Sequence, residues 1–529
     1  MPKYPNQFVT QGTLMERAYR SFAQHTAVIE NERRVTFAEL GHRAYRVADA
    51  LRRGGVDFQD RVIILSKNRS EFWEVEHGIA IGGFIRVALA TRLHPQEVEY
   101  IGNDCTAVVA FVDAEWADKL ASVRVSMPSL RLVIGLDGAI PARGIVGYHD
   151  FLSGADAVAP DRRPTADDLS ALLYTSGTTG RPKGAMQSHG SLVAMLRSVQ
   201  THLPPIDPGD VVLHVAPLTH MSGGCAFTYF TNGATQTMLP TFDPHDVLRT
   251  IETLRVTAIP LVPTMLNLLT EAAEETPHDV SSLRAIIYGA SAIAPDRLVR
   301  ALRIFGPIFV QLYGLSEVVM PLASLHQREH ELLPDGSPPK HLASTGRPHP
   351  FFELRIVDDD GIERPPGQQG EIAVRSDTMM EGYWNQPDQT AEMIDSDGWA
   401  HTGDVGYLDD DGYLYIVDRK KDMIVSGGFN VYPNEVEHAI SKLIGVQEVA
   451  VVGSPDDHWG EAVTAVVVRR AGYDVTEADV IQSCRASLAS YKAPKQVLFW
   501  DSVPKNPVGK ILRREVRETF WADRDRKVN

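Results

Sequence analysis

The segment Tyr174–Gly184, YTSGTTGRPKG, contains the residue types that bind phosphate. Its glycines allow the backbone to approach a ligand closely and to point N–H groups at an oxyanion. The Ser and Thr hydroxyls add donors, and Lys183 adds a positive charge. The spacing differs from the G-x-x-x-x-G-K-[ST] loop, because neither Gly177 nor Gly180 has a glycine five positions further on and Lys183 follows proline. On composition alone, a solvated Ser/Thr/Gly turn explains the segment equally well.

Five further segments follow this loop along the chain. They are YGAS at Tyr288–Ser291, QLYGLSE at Gln311–Glu317, HTGD at His401–Asp404, DRKKDMIVSGGFNVYPNEVE from Asp418, and PKNPVGK at Pro504–Lys510. Together with the loop they resemble, in type and in order, the motifs of the adenylate-forming superfamily. That superfamily contains acyl-CoA ligases, nonribosomal adenylation domains and firefly-type luciferases. Ser316 departs from the more usual threonine but retains the hydroxyl.

The resemblance implies binding sites for ATP, Mg²⁺ and coenzyme A. Glu317 is the implied Mg²⁺ ligand, Tyr313 is expected to stack on the adenine, and Asp404 and Arg419 are expected to fix the ribose. The full set of implied binding residues is Thr175, Ser176, Gly177, Thr178, Thr179, Gly180, Lys183, Gly289, Ala290, Ser291, Tyr313, Gly314, Ser316, Asp404, Arg419, Lys421, Gly427 and Gly428. Taken singly, Glu317 also fits a helix-start charge and Asp404 a turn cap, so it is their order along one chain that favours function.

The family's reaction has two halves, and the resemblance assigns residues to each. A carboxylate first attacks the α-phosphate of ATP, where Lys510 is expected to bridge the two anions; the thiol of coenzyme A then displaces AMP. Such chemistry needs positioning and cations rather than a nucleophile triad, and the sequence contains no GxSxG or HExxH motif. Gly428 leaves room for a thiol arm, and Lys421 occupies the hinge position about which a mobile domain would rotate.

The acid to be activated is expected to be apolar. By alignment with the family, the acyl pocket comprises Met221, Ser222, Ala290, Leu312, Gly314, Val319 and Met320, none of them charged. An amino-acid-activating domain would carry an aspartate near His220, and APLTHMSGG has none, so an ammonium there would be unpaired. His220 itself is implied to act near the acyl carboxylate and the thiol tunnel, as a gating or positioning group. Taken alone, a histidine in such a loop is more often structural.

The elements that must position these residues alternate through the first half of the chain. FAELGHRAYRVADALRRGG has helical periodicity, RVIILS is typical of a buried strand, and DVVLHVAPL, DPHDVLRTIETLRV and TAIPLV repeat strand, helix, strand. This pattern predicts parallel α/β layers. After Ser324, short alternating stretches with Asp-Asp-Gly turns predict antiparallel β structure. Together with the resemblance, which implies a mobile C-terminal part, the pattern leads us to expect a large N-terminal α/β domain with a small β-barrel-like part, residues 1–417, followed by a small mobile α+β domain, residues 418–529.

Composition restricts the partners. The 529 residues are 43% hydrophobic and 23% charged, with a net charge of −16, which argues against nucleic acid and anionic membranes. No apolar run is long enough to span a bilayer, and the first residues lack a signal-peptide pattern. Cys105, Cys225 and Cys484 have no metal-ligand spacing, which favours buried thiols and a cytoplasmic location. The sequence is compatible with a homodimer and does not decide the oligomeric state.

The resulting hypothesis is an AMP-forming carboxylic acid:CoA ligase. An acyl-AMP ligase that loads a carrier protein is the alternative. Members of that type tend to carry an insertion before the hinge, and GYLYIVDRKKDMI runs through without one. A luciferase-like oxygenase shares the motifs but is rare. The sequence leaves chain length and ring content of the acid open.

Overall fold

In the computed structural model of this protein, the described residues are 7–140, 143–175, 181–426, 429–456, 459–505 and 511–522. The chain divides into two compact units. The larger comprises Met1–Ala292, Arg297–Glu353 and Val374–Ala400, and the smaller comprises Ile293–Asp296, Leu354–Ala373 and His401–Asn529. The domain boundary between residues 417 and 418 stays a prediction.

The helices are α1 Gln11–Ser21, α2 Phe37–Arg53, α3 Ser70–Gly82, α4 Pro95–Asp104, α5 Ala114–Val123, α6 Tyr148–Phe151, α7 His189–Gln200, α8 Met221–Thr231, α9 Pro244–Leu254, α10 Pro263–Glu275, α11 Pro295–Phe305, α12 Pro387–Met393, α13 Pro433–Ser441, α14 Glu477–Ser487 and α15 Arg513–Trp521.

The strands are β1 Thr26–Glu30, β2 Arg33–Thr36, β3 Arg61–Leu65, β4 Ile85–Ala88, β5 Val109–Val112, β6 Leu132–Gly135, β7 Ile145–Gly147, β8 Leu169–Thr175, β9 Lys183–Ser188, β10 Val211–His214, β11 Thr235–Met238, β12 Ala258–Leu261, β13 Ala285–Gly289, β14 Phe309–Tyr313, β15 Ala323–Leu325, β16 Arg347–Pro348, β17 Glu353–Val357, β18 Gly370–Arg375, β19 Ala400–Leu408, β20 Leu414–Arg419, β21 Ile424–Ser426, β22 Phe429–Val431, β23 Val446–Asp456, β24 Gly460–Arg469 and β25 Gln496–Phe499.

Two mainly parallel sheets form the larger unit. One has the order β7-β6-β5-β3-β4-β8-β9, and the other the order β16-β15-β14-β13-β12-β10-β11-β1-β2. The β12–β13–β14 neighbours are parallel, whereas β8 and β9 are antiparallel. One hydrophobic core joins residues of both sheets with helices α1, α2, α3, α7 and α8, and a second packs α4 and α5 on the seven-stranded sheet. The alternation of strand and helix in the sequence predicted these layers, and the prediction is confirmed.

The β-rich segment and the C-terminal segment form two smaller sheets. The first has the order β17-β18-β19-β20 and is an open sheet, so a closed barrel is not needed to describe it. The second has the order β22-β21-β24-β23, with β25 parallel to β24, and α13 and α14 contribute to its core. The predicted Asp-Asp-Gly turns are present, since Gly361 and Gly412 take φ values of 76° and 78°.

Local chemistry explains where the helices begin. Thr36 and Glu39 form a capping box at the start of α2, and Asp243 caps α9 ahead of Pro244. Pro433 occupies the first turn of α13, where its missing N–H costs nothing. The three cysteines are free and buried, as expected. Among the described residues, no helix is both long enough and apolar enough to cross a membrane.

Candidate active site

The phosphate-loop motif is held by a β-hairpin at the edge of the seven-stranded sheet. Strand β8 ends at Thr175, strand β9 begins at Lys183, and these two residues are paired across the antiparallel ladder. Ser176, Gly177, Thr178, Thr179 and Gly180 lie outside the described residues. Lys183 is only 8% exposed, so the hairpin presents a largely buried ammonium beside the loop. That arrangement suits an anionic ligand, because a buried charge is stable only when something compensates it.

The side chain of Glu317 accepts from two hydroxyl groups, one of which belongs to the hairpin. Tyr383 Oη donates to Glu317 Oε1 at 2.8 Å, and Thr175 Oγ1 lies 3.5 Å from the same oxygen. The Tyr383 ring also lies under Lys183, with Nζ 5.0 Å from the ring centroid. Thr175, Lys183 and Glu317, all predicted from the sequence, are thus brought together.

Backbone pairing fixes this cluster. Residues 378–385, which we call the brace, pair on one side with the Glu317 segment: Met380 N donates to Glu317 O at 2.8 Å. On the other side, Met186 N donates to Gly382 O and Trp384 N donates to Gly184 O, at 2.9 and 2.8 Å. The brace therefore forms a β-bridge with β9 and another beside Glu317, through Ala185–Tyr383 and Val318–Met379.

The predicted adenine segments lie at the carboxyl ends of neighbouring parallel strands. Gly289 ends β13 and Tyr313 ends β14, which is where open α/β sheets bind ligands. Ala290 takes a φ of 69°, a left-handed conformation that disfavours any residue with a Cβ and is typical of functional sites. Gly314 is required for packing, because an added Cβ would lie 2.7 Å from Met320 Cα. Buried Gln187 anchors the next turn by donating to Ser316 O at 2.7 Å. Ser291, which follows Ala290, is partly exposed.

His220 precedes α8 and is exposed to solvent, although nearby protein atoms desolvate its ring in part. This partial desolvation, together with the charge of Arg86, lowers the pKa of His220 to about 4. Its Nδ1 lies 2.6 Å from Thr219 Oγ1. The imidazole is therefore neutral at neutral pH and a weak base, which agrees with a gating or positioning role.

The residues predicted for the acyl pocket gather between α8 and the ends of β13 and β14. A Cβ added at Gly289 would lie 3.3 Å from Met221 Sδ, and one added at Gly224 would lie 2.5 Å from Met320 Cε. Leu312 and Val319 are buried in the same core as Met320. Ser222 is fully buried and its hydroxyl hydrogen-bonds with His214 Nδ1 at 2.8 Å, so its polarity is satisfied within the protein.

In the smaller unit, the two predicted ribose residues pair with one another. Asp404 on β19 and Arg419 on β20 face each other across the ladder, with Oδ1 and Nε 2.6 Å apart, and Asp404 is 4% exposed. Burial lowers the pKa of Lys421, which follows two residues later. Gly427, Gly428 and Lys510 lie outside the described residues. Their roles remain predictions.

The residues around Glu317 fit a Mg²⁺ ion. Tyr383 and Thr175 hydrogen-bond to Oε1, and among the described residues no hydrogen bond or ion pair involves Oε2. Mg²⁺ bound with nucleotides typically uses one or two carboxylates and takes its other ligands from phosphates and water. One half-free carboxylate beside a phosphate loop meets that requirement.

Fold and site together describe an α/β protein with a buried ammonium and a carboxylate near the ends of its strands. Residues 15–384 match the AMP-binding enzyme family, and residues 435–510 match the AMP-binding enzyme C-terminal domain. The chain belongs to this family, in the acyl-CoA synthetase branch of the adenylate-forming superfamily.

Similar proteins span the whole chain. It is 36% identical to the fatty acid–[acyl-carrier-protein] ligase ScoC of Streptomyces coeruleorubidus, over 96% of each chain. It is 35% identical to the medium/long-chain-fatty-acid–CoA ligase FadD8 of Mycobacterium tuberculosis, over 98% of this chain and 91% of the relative. The crystal structure of the anthranilate CoA ligase AuaEII with anthranoyl-AMP superposes with a TM-score of 0.88 at 27% identity, covering 98% of both chains.

Two residues that support the predicted site were missed by the sequence analysis. Tyr383 belongs to GYWNQP, whose glycine and tyrosine offered no obvious chemistry. Asn68 fixes the loop before His220, because its side chain donates to Ala216 O and accepts from Leu218 N, at 3.0 and 3.1 Å. Both act over long sequence separations, which spacing alone does not reveal.

Proposed function

We propose that this protein is an ATP-dependent acyl-CoA ligase that activates an apolar carboxylic acid through an acyl-AMP. The acid is medium- or long-chain fatty, aromatic or bulky polycyclic. The observation that carries the proposal is the cluster of Lys183, Glu317 and Thr175 at the end of the β8–β9 hairpin. It places a cation and a half-free carboxylate beside a glycine loop, as a Mg²⁺–ATP complex requires.

The chemistry follows in two displacements. A carboxylate oxygen of the acid forms a bond to the α-phosphorus while the bond to the leaving pyrophosphate breaks. The thiol sulfur of coenzyme A then bonds to the acyl carbon, AMP leaves with the electron pair, and the thiol proton passes to solvent. Lys183 and the predicted Lys510 supply positive charge where charge accumulates in the first step. Mg²⁺, held by Glu317, would supply further charge neutralisation when bound.

Substrate class is proposed from the acyl pocket. Met221, Leu312 and Met320 provide soft apolar surface, and methionine adapts to irregular shapes. The similarity to ligases of fatty acids and of anthranilate supports an acid that is apolar or aromatic. An amino acid would bury its ammonium there without a partner carboxylate.

Coenzyme A is favoured as acceptor by aromatic and basic side chains on the smaller unit. Phe429 and Tyr491 stack with ring centroids 4.8 Å apart, and Lys495 Nζ lies 5.3 Å from the Trp459 ring centroid. Aromatic faces and ammonium groups suit an adenine and its phosphates. A carrier-protein ligase is the second candidate, because ScoC has that activity and is similar over its full length.

A panel of acids tests the proposal. Octanoate, palmitate, benzoate, indole-3-acetate, a polycyclic propanoate and leucine are each incubated with ATP, Mg²⁺ and either coenzyme A or a phosphopantetheinylated carrier protein. We expect pyrophosphate and AMP with at least one apolar acid, and its CoA thioester by mass spectrometry. Fastest pyrophosphate release with leucine would contradict the pocket assignment. Thioester on the carrier protein alone would favour the second candidate.

A further inference from the structure

The brace contacts both halves of the nucleotide site. Its backbone pairs with the Glu317 segment through Met380 and with β9 through Gly382 and Trp384. Trp384 Nε1 also donates to Asp104 O at 3.1 Å, which ties the brace to the end of α4. Tyr383 is 8% exposed and forms a β-bridge with Ala185 of β9. The backbone that carries the ring is thus held on two sides.

The hydroxyl of Tyr383 controls the orientation of one carboxylate. It donates to Glu317 Oε1 at 2.8 Å, a good hydrogen-bond distance, whereas the 3.5 Å contact from Thr175 is weak. A carboxylate held at one oxygen presents the other in a fixed direction. Without the hydroxyl, Glu317 would lose this constraint.

The ring of Tyr383 faces a different group. Lys183 is 8% exposed, and within the described residues no carboxylate pairs with it; its Nζ instead lies 5.0 Å from the ring centroid. An aromatic face stabilises a cation without neutralising it. The ring therefore holds the ammonium in place without an opposite charge that would compete with a phosphate.

We propose that Tyr383 is a positioning residue for adenylation: its hydroxyl orients Glu317 for Mg²⁺, and its ring holds Lys183 beside the phosphates. This role rests on the proposed function. The two effects reside in different parts of one side chain, so they can be separated. Tyr383→Phe removes the hydroxyl and keeps the ring, whereas Tyr383→Leu removes both.

The test measures binding of α,β-methylene-ATP by calorimetry, in Mg²⁺ and in EDTA. We expect Tyr383→Phe to bind about tenfold more weakly in Mg²⁺ and equally well in EDTA, because only the metal-dependent part uses Glu317. Tyr383→Leu should lose about fivefold in EDTA as well, because Lys183 loses the ring. Mn²⁺ binding to the nucleotide complex, followed by electron paramagnetic resonance, should weaken in both variants. Tyr45→Phe is the matched control, since Tyr45 Oη donates to Glu16 Oε1 at 2.7 Å elsewhere in the larger unit.

Two results would overturn the role. Equal weakening of Tyr383→Phe in Mg²⁺ and in EDTA would mean that the hydroxyl merely supports the fold. Unchanged affinity and unchanged Mn²⁺ spectra would mean that it does nothing at the site. A wild-type protein that binds no nucleotide under either condition would instead refute the proposed function, and with it this role.

Discussion

Removal of the Arg513 side chain should destabilise the smaller unit strongly. Its guanidinium lies 3.0 Å from Asp418 Oδ1, donates to both oxygens of Glu437, contacts Asn434 and lies 3.5 Å from Asp422. Arg513→Met would leave three carboxylates together, one of them the fully buried Asp418. Breaking a buried ion pair by removing one partner costs about 3–5 kcal/mol.

The stability lost in Arg513→Met should be larger at high pH than at low pH, because it depends on the ionisation of Asp418. Burial raises the pKa of Asp418 from 3.8 to about 6, against the opposing charge of Arg513. Because the folded pKa is raised, the penalty for ionising this carboxyl grows as pH rises from 3.8 through about 6. At pH 8 this penalty is about 3 kcal/mol in the wild type. Without Arg513 the penalty is at most about 6 kcal/mol, because that is the free energy needed to keep the carboxyl protonated at pH 8, and a larger penalty would be avoided by protonation. At pH 5 the carboxyl is mostly neutral in both proteins, so the Asp418 part of the loss, about 3 kcal/mol at pH 8, should almost vanish.

Native-state hydrogen exchange measures the loss of stability separately in the smaller and the larger unit. At pH 8 the β23 and β24 amides should be much less protected from exchange in Arg513→Met than in wild type, and at pH 5 this difference should be smaller. Peptides of the larger unit serve as the internal reference. Arg514→Met is the control, because Arg514 forms an exposed i,i+4 pair with Glu518, worth about 0.3–0.5 kcal/mol. Equal effects of the two substitutions, or a pH-independent loss in Arg513→Met, would refute the reasoning.

The predicted division of labour within the C-terminal segment gives two further tests. Lys510→Ala should lower acyl-AMP formation by orders of magnitude, yet convert supplied acyl-AMP and coenzyme A to thioester at a near-normal rate, because only the first step needs that charge. Gly428→Leu should do the reverse and accumulate acyl-AMP, because a branched side chain would block the thiol path. Single-turnover assays of each half-reaction measure both variants, and equal loss of both steps in Lys510→Ala would contradict a domain that rotates about Lys421.

Periodicity and local chemistry were sufficient for most of the fold. The strand–helix alternation predicted the parallel sheets, and capping residues explain where α2 and α9 begin. These features depend on neighbours in sequence, so they can be predicted from sequence. The same holds for Thr175 and Lys183, because both belong to one motif and a hairpin pairs them directly.

Contacts between distant segments could not be predicted in this way. Tyr383 reaches Glu317 across 66 residues, and Arg513 reaches Asp418 across 95. Neither side chain has a spacing that marks it, and each became informative only once sheet pairing placed its partner. The ion pair of Asp404 with Arg419 likewise depends on the register of β19 and β20.

The most direct measurement of the proposed reaction follows oxygen from the acid. An apolar acid that the panel identifies as substrate is labelled with ¹⁸O in both carboxylate positions and incubated with ATP, Mg²⁺ and coenzyme A. If the acid attacks the α-phosphate, mass spectrometry will find one ¹⁸O in AMP, one in the acyl-CoA, and none in pyrophosphate. Label in inorganic phosphate, with ADP as the nucleotide product, would contradict an acyl-AMP intermediate.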